Sequence, residues 1–342
     1  MFALQDHSRQ SMELKLIFRG NKMEKTGIGF MRDLFSATRN HRQFQPVVIP
    51  QELETYVEAL YQAYKQPTNL IDPSGQLVPT SKEKSESAVF TFSGGKDSLA
   101  TFLMNQKHFP SFDCFYVTGI TPYVKDEEYK RAIALAESLG IELKSVDLGM
   151  SNDTTLVESV IKNQMIYALV METIGYTPAG IGFGGTLELG PQSMCFFHDS
   201  NEAFSLFQHF ASVAWGEHEL MPYSKDEIEA YRIIVEENPE LVKMLSSCMA
   251  PADHKSRIRA DIEEKFDIQL ENKYQCGACY KCAEEQLVLS TFHGRSIPER
   301  YARFCKAVLV DKSVFEEHNL NGLVPHHYLR KLGISSVVEL IQ

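Results

Sequence analysis

Apolar positions along the middle of this chain follow two alternating rhythms. Between Ser87 and Phe183, short apolar runs of strand length are separated by longer stretches with helical spacing. Ser87–Phe92, Phe112–Val117, Ile141–Leu148 and Ala179–Phe183 read as strands. A helix is predicted from Asp97 to about Asn105, directly after the first strand. A second is predicted over Asp126–Leu139, with Ala132, Ile133, Ala136 and Leu139 on one face and Gly140 as its stop. Val157–Ile174 reads as a long apolar helix. Strands alternating with helices predict an α/β fold, a doubly wound parallel sheet whose ligands lie at the C-terminal ends of its strands.

Upstream, the alternation in MELKLIF (12–18) suggests a strand. Pro50 to about Tyr64 reads as a helix. Pro50 suits a first helical position, and Leu53, Val57, Leu60 and Tyr64 recur at helical spacing. From Lys65 to Glu86 the character changes to turn-rich and charged, with Pro67, Asp72-Pro73-Ser74-Gly75 and Pro79. That stretch is expected to be a linker or a long exposed loop.

Composition narrows the class. The 342 residues fit about two domains, and the formal charge of −11 disfavours gripping nucleic acid by bulk charge. A local basic groove stays compatible with it. There is no apolar run long enough for a membrane span and no secretory pattern at the N-terminus. Cys114, Cys195, Cys248 and Cys305 stand alone, while Cys276, Cys279 and Cys282 crowd together. Seven unevenly placed cysteines suggest a reduced, cytoplasmic protein with one metal site rather than a disulfide framework.

Two motifs carry chemistry. Ser93-Gly94-Gly95-Lys96-Asp97-Ser98 lies between the first predicted strand and its helix. The glycines allow a tight turn and close approach of a ligand. The amides of the helix N-terminus then face an anion. Ser93 and Ser98 add hydroxyls, and Lys96 adds a charge. Asp97 makes sense beside phosphates if it helps hold Mg²⁺ or caps the helix. The pattern is not that of a Walker P-loop. The second motif is C-x2-C-x2-C at Cys276, Cys279 and Cys282, with Gly277 permitting the turn. Three thiolates need a fourth ligand for a closed tetrahedral Zn²⁺, with Cys248 the first candidate and Cys305 the second. An iron–sulfur cluster is the rival reading.

The SGGKDS loop resembles that of the PP-loop ATP pyrophosphatases, which cleave ATP between its α and β phosphates. With the C-terminal CGxCxxC preceded by Ser247-Cys248, the chain resembles one subfamily, the 7-cyano-7-deazaguanine synthases (QueC). Looser matches are Lys162-Asn163, Gly184 through Glu188, Asp199 and Phe204, and Pro222 through Ile228. The likeness spans about residues 87–292. It implies a PP-loop domain at 86–235, a helical C-terminal region with the zinc site at 236–342, and an N-terminal extension and linker at 1–85.

The resemblance places ATP and its Mg²⁺ at Ser93, Gly94, Gly95, Lys96, Asp97, Ser98, Val117, Gly184 and Lys225. It gives the catalytic roles to Lys96, Asp97 and Lys225. It puts the substrate near Lys162, Asn163, Glu188, Asp199 and Phe204, and Zn²⁺ on Cys248, Cys276, Cys279 and Cys282. The implied reaction is AMP-forming activation of a 7-deazaguanine carboxylate and its transfer to an amine. The expected partners are that small molecule, an amine donor, a protein acceptor and a second copy as a homodimer, with neither membrane nor nucleic acid.

This chain also departs from the subfamily. Val117-Thr118-Gly119-Ile120 stands where the family has Tyr-Gly-Gln, and Ser200 and Asn201 replace a cysteine and an arginine. The N-terminal addition and the longer Cys248–Cys276 interval are further differences. They resemble the divergent relatives of anti-phage operons, the Qat and type IV CBASS systems. The alternatives are a synthase of queuosine biosynthesis, a tRNA-modifying PP-loop enzyme, and a non-catalytic nucleotide-binding defence subunit. His318, His326, His327, Cys195 and the Phe204, Phe207, Phe210 stripe read as surface or packing residues, and Trp215 gives no signal.

Overall fold

The computed structural model describes residues 24–39, 46–63, 71–80, 82–119, 126–149, 156–184, 201–221, 224, 227–245, 252–270, 272, 274, 276–277, 282–283, 285 and 299–309. The strand expected at 12–18 lies outside them. So do Glu188, Asp199, Cys195, Lys225, Cys248, Cys279 and the tail histidines, and the side chain of Phe204.

The N-terminal part holds β1 (Glu24–Lys25), α1 (Gly27–Arg39), β2 (Val47–Pro50), α2 (Gln51–Ala63) and β3 (Ile71–Leu77). The three strands form a parallel sheet in the order β1-β3-β2. Strand β3 thus occupies the stretch expected to be a linker or exposed loop. Its register with β2 shifts between Val48 and Pro50, which accommodates the Pro73 and Gly75 that disguise it in sequence. Gly75 is pressed against β2, where an added Cβ would lie 2.8 Å from the Ile49 carbonyl carbon. Pro50, expected to open a helix, ends β2 instead, and α2 begins one residue later.

The larger sheet contains β4 (Ala88–Thr91), β5 (Phe112–Thr118), β6 (Leu143–Asp147), β7 (Gly180–Gly182) and β8 (Glu219–Leu220). All its pairs are parallel, and the order is β6-β5-β4-β7-β8. Helices α3 (Lys96–Asn105), α4 (Asp126–Ser138), α5 (Leu156–Thr173), α6 (Asn201–Trp215) and α7 (Glu227–Glu237) connect or follow these strands. The predicted α/β class and the four predicted strands are present, with ends shifted by a few residues. Gly140, the expected stop, has φ +69°. Successive strands are added first to one side of β4 and then to the other, so the direction of winding reverses between β4 and β7. Ligand sites in open α/β sheets sit at that reversal.

Two apolar layers cover the sheet. One contains Val89, Phe115 and Val117 with α5 and α6, and continues into Phe30, Phe35, Tyr56 and Leu60 of the N-terminal part. The N-terminal residues 24–77 therefore share a core with the larger sheet. Trp215 lies at their junction, 1% exposed, and a Cβ at Gly27 would come within 2.4 Å of its ring. Two polar ties reinforce the junction. The Glu172 carboxylate accepts from the Ile28 amide at 3.0 Å, in the first turn of α1. Lys82 donates to the carbonyls of Met171 (3.1 Å), Glu172 (2.9 Å) and Ile174 at the end of α5.

The opposite layer packs α3, α4 and α7 on Ala88 and Phe90. Its rings meet edge to face, with Phe90–Phe102 centroids 5.1 Å apart and Phe102–Phe112 5.2 Å apart. Beyond α7 come a 3-10 helix (Pro239–Met244), α8 (Ala252–Phe266) and α9 (Glu299–Leu309). Among the described residues, no helix is long and apolar enough to cross a membrane.

Candidate functional site

The SGGKDS loop leaves β4 at the reversal point of the sheet. Gly94 takes φ +75°, a conformation that disfavours side chains. A Cβ there would meet the Cα of Ala132 in α4 at 3.1 Å. Gly95 is the N-cap of α3 and supplies no side-chain bond to the first turn. The leading amides of the helix are thus left for a ligand, and the helix dipole favours an anion. Asp97, a candidate either to cap the helix or to help hold Mg²⁺, does not cap it, because it stands inside the first turn after Gly95.

The two serines shape the loop from within. The Ser93 amide donates to Ser98 Oγ at 3.2 Å, and the Gly95 amide donates to Ser93 Oγ at 3.3 Å. The two hydroxyls lie 3.0 Å apart, and Ser98 Oγ also reaches the Gly95 carbonyl at 3.1 Å. Ser98 is buried while Ser93 is exposed, so Ser93 presents the more accessible hydroxyl. The Lys96 side chain is 4% exposed, with its ammonium 3.0 Å from Asp97 Oδ1 and 3.3 Å from Oδ2. Both charges of the motif are therefore present as a pair at the helix start.

Gly184 lies against the loop's helix from the other side. It follows β7, and a Cβ there would lie 2.8 Å from the Ser98 amide nitrogen and 2.9 Å from its Cα. The chain leaving β7 thus lies directly on the first turn of α3, as only glycine permits. Val117, next to last in β5, has its side chain in the core layer shared with the N-terminal part. Lys162 is likewise buried, with its ammonium 5.9 Å from the Phe35 ring centre. Asn163 beside it is half-buried. The structure thus brings Ser93–Ser98 and Gly184 together, and sets Val117 and the Lys162 ammonium into the core layer.

Of the four cysteines that the resemblance assigns to Zn²⁺, Cys276 and Cys282 are described. Both are fully buried, and their Sγ atoms are 3.9 Å apart. A disulfide requires about 2 Å. Two thiolates on one tetrahedral Zn²⁺, each bonded at about 2.3 Å, stand close to 3.8 Å apart. The separation therefore suits a shared metal. Cys305, the second candidate for the fourth ligand, contacts the Ala283 carbonyl at 3.5 Å, and burial pushes its thiol up to about 12. Among the described residues, no group of three or more metal-type side chains is assembled.

The segment around these cysteines is held by side chains. Asn272, 1% exposed, donates to the carbonyls of Val242 (3.4 Å) and Leu245 (3.1 Å) and to Glu285 Oε1 (2.9 Å). Its own side-chain oxygen accepts from the Tyr274 amide at 2.9 Å. Arg259 donates to the Asn272 carbonyl at 2.8 Å and to the Leu270 carbonyl. Gly277 has φ +80°, and a Cβ there would strike Leu270 and Ile262 side chains at 2.8 and 2.9 Å.

Sequence reading missed Arg131 and Tyr274. The Arg131 guanidinium lies 4.2 Å from the Tyr274 ring centre, in cation–π geometry. Nothing in sequence links them, since one sits in an α/β helix and the other beside the cysteines.

No family model matches the chain, and no curated protein matches it. A solved structure of NMN synthetase from Francisella tularensis is similar at 12% identity, covering 83% of this chain and 97% of that one, with a TM-score of 0.30.

Proposed function

We propose that this chain is an ATP-dependent, AMP-forming ligase of the PP-loop type. The observation that carries the reading is the SGGKDS loop. It lies at the reversal point of a parallel sheet, ends on an uncapped helix N-terminus and has Gly184 pressed against Ser98. That arrangement suits a polyphosphate held by main-chain amides. Ser93 and Lys96 add a hydroxyl and a cation, and Lys225 would be a second cation. Asp97 would hold the Mg²⁺ that accompanies ATP, which would offset phosphate charge.

The finer reading rests on the sequence resemblance. A 7-deazaguanine carboxylate attacks the α-phosphorus, forming an acyl–phosphate bond as the bond to the departing pyrophosphate breaks. An amine then attacks the acyl carbon, AMP leaves, and an amide remains. The amine is ammonia or a protein amine. The N-terminal addition and the changes at Ser200 and Asn201 favour the conjugating, anti-phage-defence variant over free nitrile synthesis. Asn163, Glu188, Asp199 and Phe204 would line the substrate side, whereas Lys162, also assigned there by the resemblance, turns its ammonium into the core layer by Phe35. The chain's contribution is positioning and charge stabilisation. Cys248, Cys276, Cys279 and Cys282 would bind a structural Zn²⁺, which four thiolates leave no open position for chemistry.

The test is pyrophosphate release from ATP and Mg²⁺ with 7-carboxy-7-deazaguanine. Release is expected with the native chain and abolished by Asp97→Ala or Ser93→Ala. No release with any carboxylate would overturn the ligase reading. Mass spectrometry of the products separates a free nitrile from an adduct on a protein amine.

A further inference from the structure

One wall serves both the phosphate loop and the cysteine segment. Helix α4 meets the loop at Ala132, whose Cα would stand 3.1 Å from a Cβ on Gly94. The adjacent residue, Arg131, is 8% exposed and stacks on Tyr274 at 4.2 Å. Tyr274 lies two residues before Cys276, and its amide is tied to the buried Asn272 network. On the other side of Cys276, Gly277 lets the Leu270 and Ile262 side chains close on bare backbone. The run from Cys276 to Gly94 thus follows the chain back to Tyr274, crosses the ring contact to Arg131, and passes from its neighbour Ala132 to Gly94 where α4 lies too close for a side chain.

We propose that Arg131 is a positioning residue that couples the cysteine segment to the phosphate loop. Ordering of the cysteine segment places the Tyr274 ring. The ring holds the Arg131 guanidinium, and that fixes the height of α4 beneath Gly94. Gly94 has no side chain with which to take up a shift, so the loop amides follow α4. Phosphate binding therefore depends on an aromatic contact made by a segment that touches no phosphate. The inference rests on the ATP reading above and adds to it a partner for the loop within the chain. Coupling free energies are reciprocal: a segment that improves ATP binding is itself held more firmly when ATP is bound.

The experiment uses the full chain and two binding measurements, neither needing turnover. Calorimetry gives the affinity for ATP with Mg²⁺. Competition with a chelator gives the affinity for Zn²⁺, with and without saturating ATP. Arg131→Met and Tyr274→Leu are each expected to weaken ATP binding about tenfold. The double variant is expected to be no weaker than either single one. Tyr274→Phe keeps the ring and should bind ATP like the native chain, a rescue that a general loss of structure would not give. ATP should tighten Zn²⁺ binding about tenfold in the native chain and not in Arg131→Met. Should Arg131→Met fail to fold, Arg131→Lys keeps the charge but loses the planar stack and carries the same expectation at smaller size. Unchanged ATP affinity in the folded variants, or losses that multiply in the double variant, would overturn the coupling while leaving the ATP site intact. A native chain that binds no ATP would overturn the nucleotide reading itself, and the coupling with it.

Discussion

The loop at Ser93–Ser98, braced within by two serine hydroxyls, is set against its neighbours by main chain resting on main chain, whereas the segment around Cys276 is tied to its neighbours by polar side chains. At the loop, Gly94 lies on the backbone of α4, and Gly184 lies on the backbone of α3. At the cysteines, Asn272, Arg259 and Glu285 satisfy buried polar groups, and side chains of Leu270 and Ile262 close on Gly277. Contacts between backbones cannot yield without moving whole elements. A side-chain network can lose one member and relax, at the cost of the groups left unsatisfied. The first region should therefore lose function abruptly, and the second should lose stability by degrees.

The largest effect should come from Gly184→Ala. Its Cβ would enter within 2.9 Å of the Ser98 backbone, so the first turn of α3 or the chain after β7 must move. Pyrophosphate release should fall about a hundredfold or more, with a stability cost of about 1–3 kcal/mol from the forced shift. Activity near the native level would show that the loop is not a rigid element.

Asn272→Ala should be the largest stability effect. It strips a buried donor from two carbonyls and from Glu285, and destabilisation of about 2–3 kcal/mol is expected in urea unfolding. A loss below half of that would mean the network is replaced by water and does not carry the segment. Gly277→Ala should follow at about 1–3 kcal/mol, from a positive φ and two close side chains. Because those side chains can shift, zinc content is expected to fall only in part. A complete loss would show that this region is as unyielding as the loop.

Acid should act on the apolar layer shared with the N-terminal part. His218 is bonded there to the Tyr167 hydroxyl, and its Nδ1 lies 2.7 Å from the Gly216 carbonyl. Burial lowers its pKa below the ordinary 6.5. The unfolded chain therefore takes up the proton first. Stability is full above about pH 6.5 and declines as pH falls toward the lowered folded-state value. The urea midpoint should drop on acidification, and that part of the drop should vanish in His218→Asn. The smallest effect is reserved for Lys82→Met, about 1 kcal/mol, from losing donors to the last carbonyls of α5. ATP affinity should not change, and a change would tie the N-terminal part to the site.

Most of the larger sheet was legible because its strands and helices carry strong periodic patterns and its loop uses glycine where only glycine fits. The N-terminal sheet was not. Strand β3 reads IDPSGQL, a turn by composition, and becomes a strand because β1 and β2 flank it and its register shift accommodates the proline. Strands β1 and β8 are two residues long, too short to show any period. Trp215 was silent in sequence for a similar reason. A single aromatic shows its partners only once Gly27, Tyr167 and Phe210 are brought around it.

The sequence by itself determined the α/β class, the loop, its glycines and the spacing of the cysteines, because each of these depends on residues near one another along the chain. Tertiary structure alone decided that Gly184 meets Ser98, that Cys276 and Cys282 lie 3.9 Å apart, and that Arg131 finds Tyr274. It also decided that residues 24–77 share a core with the sheet rather than standing beside it. Those facts concern surfaces meeting across long intervals of chain. Local propensity carries no information about such meetings, and the packing of the whole molecule selects among them.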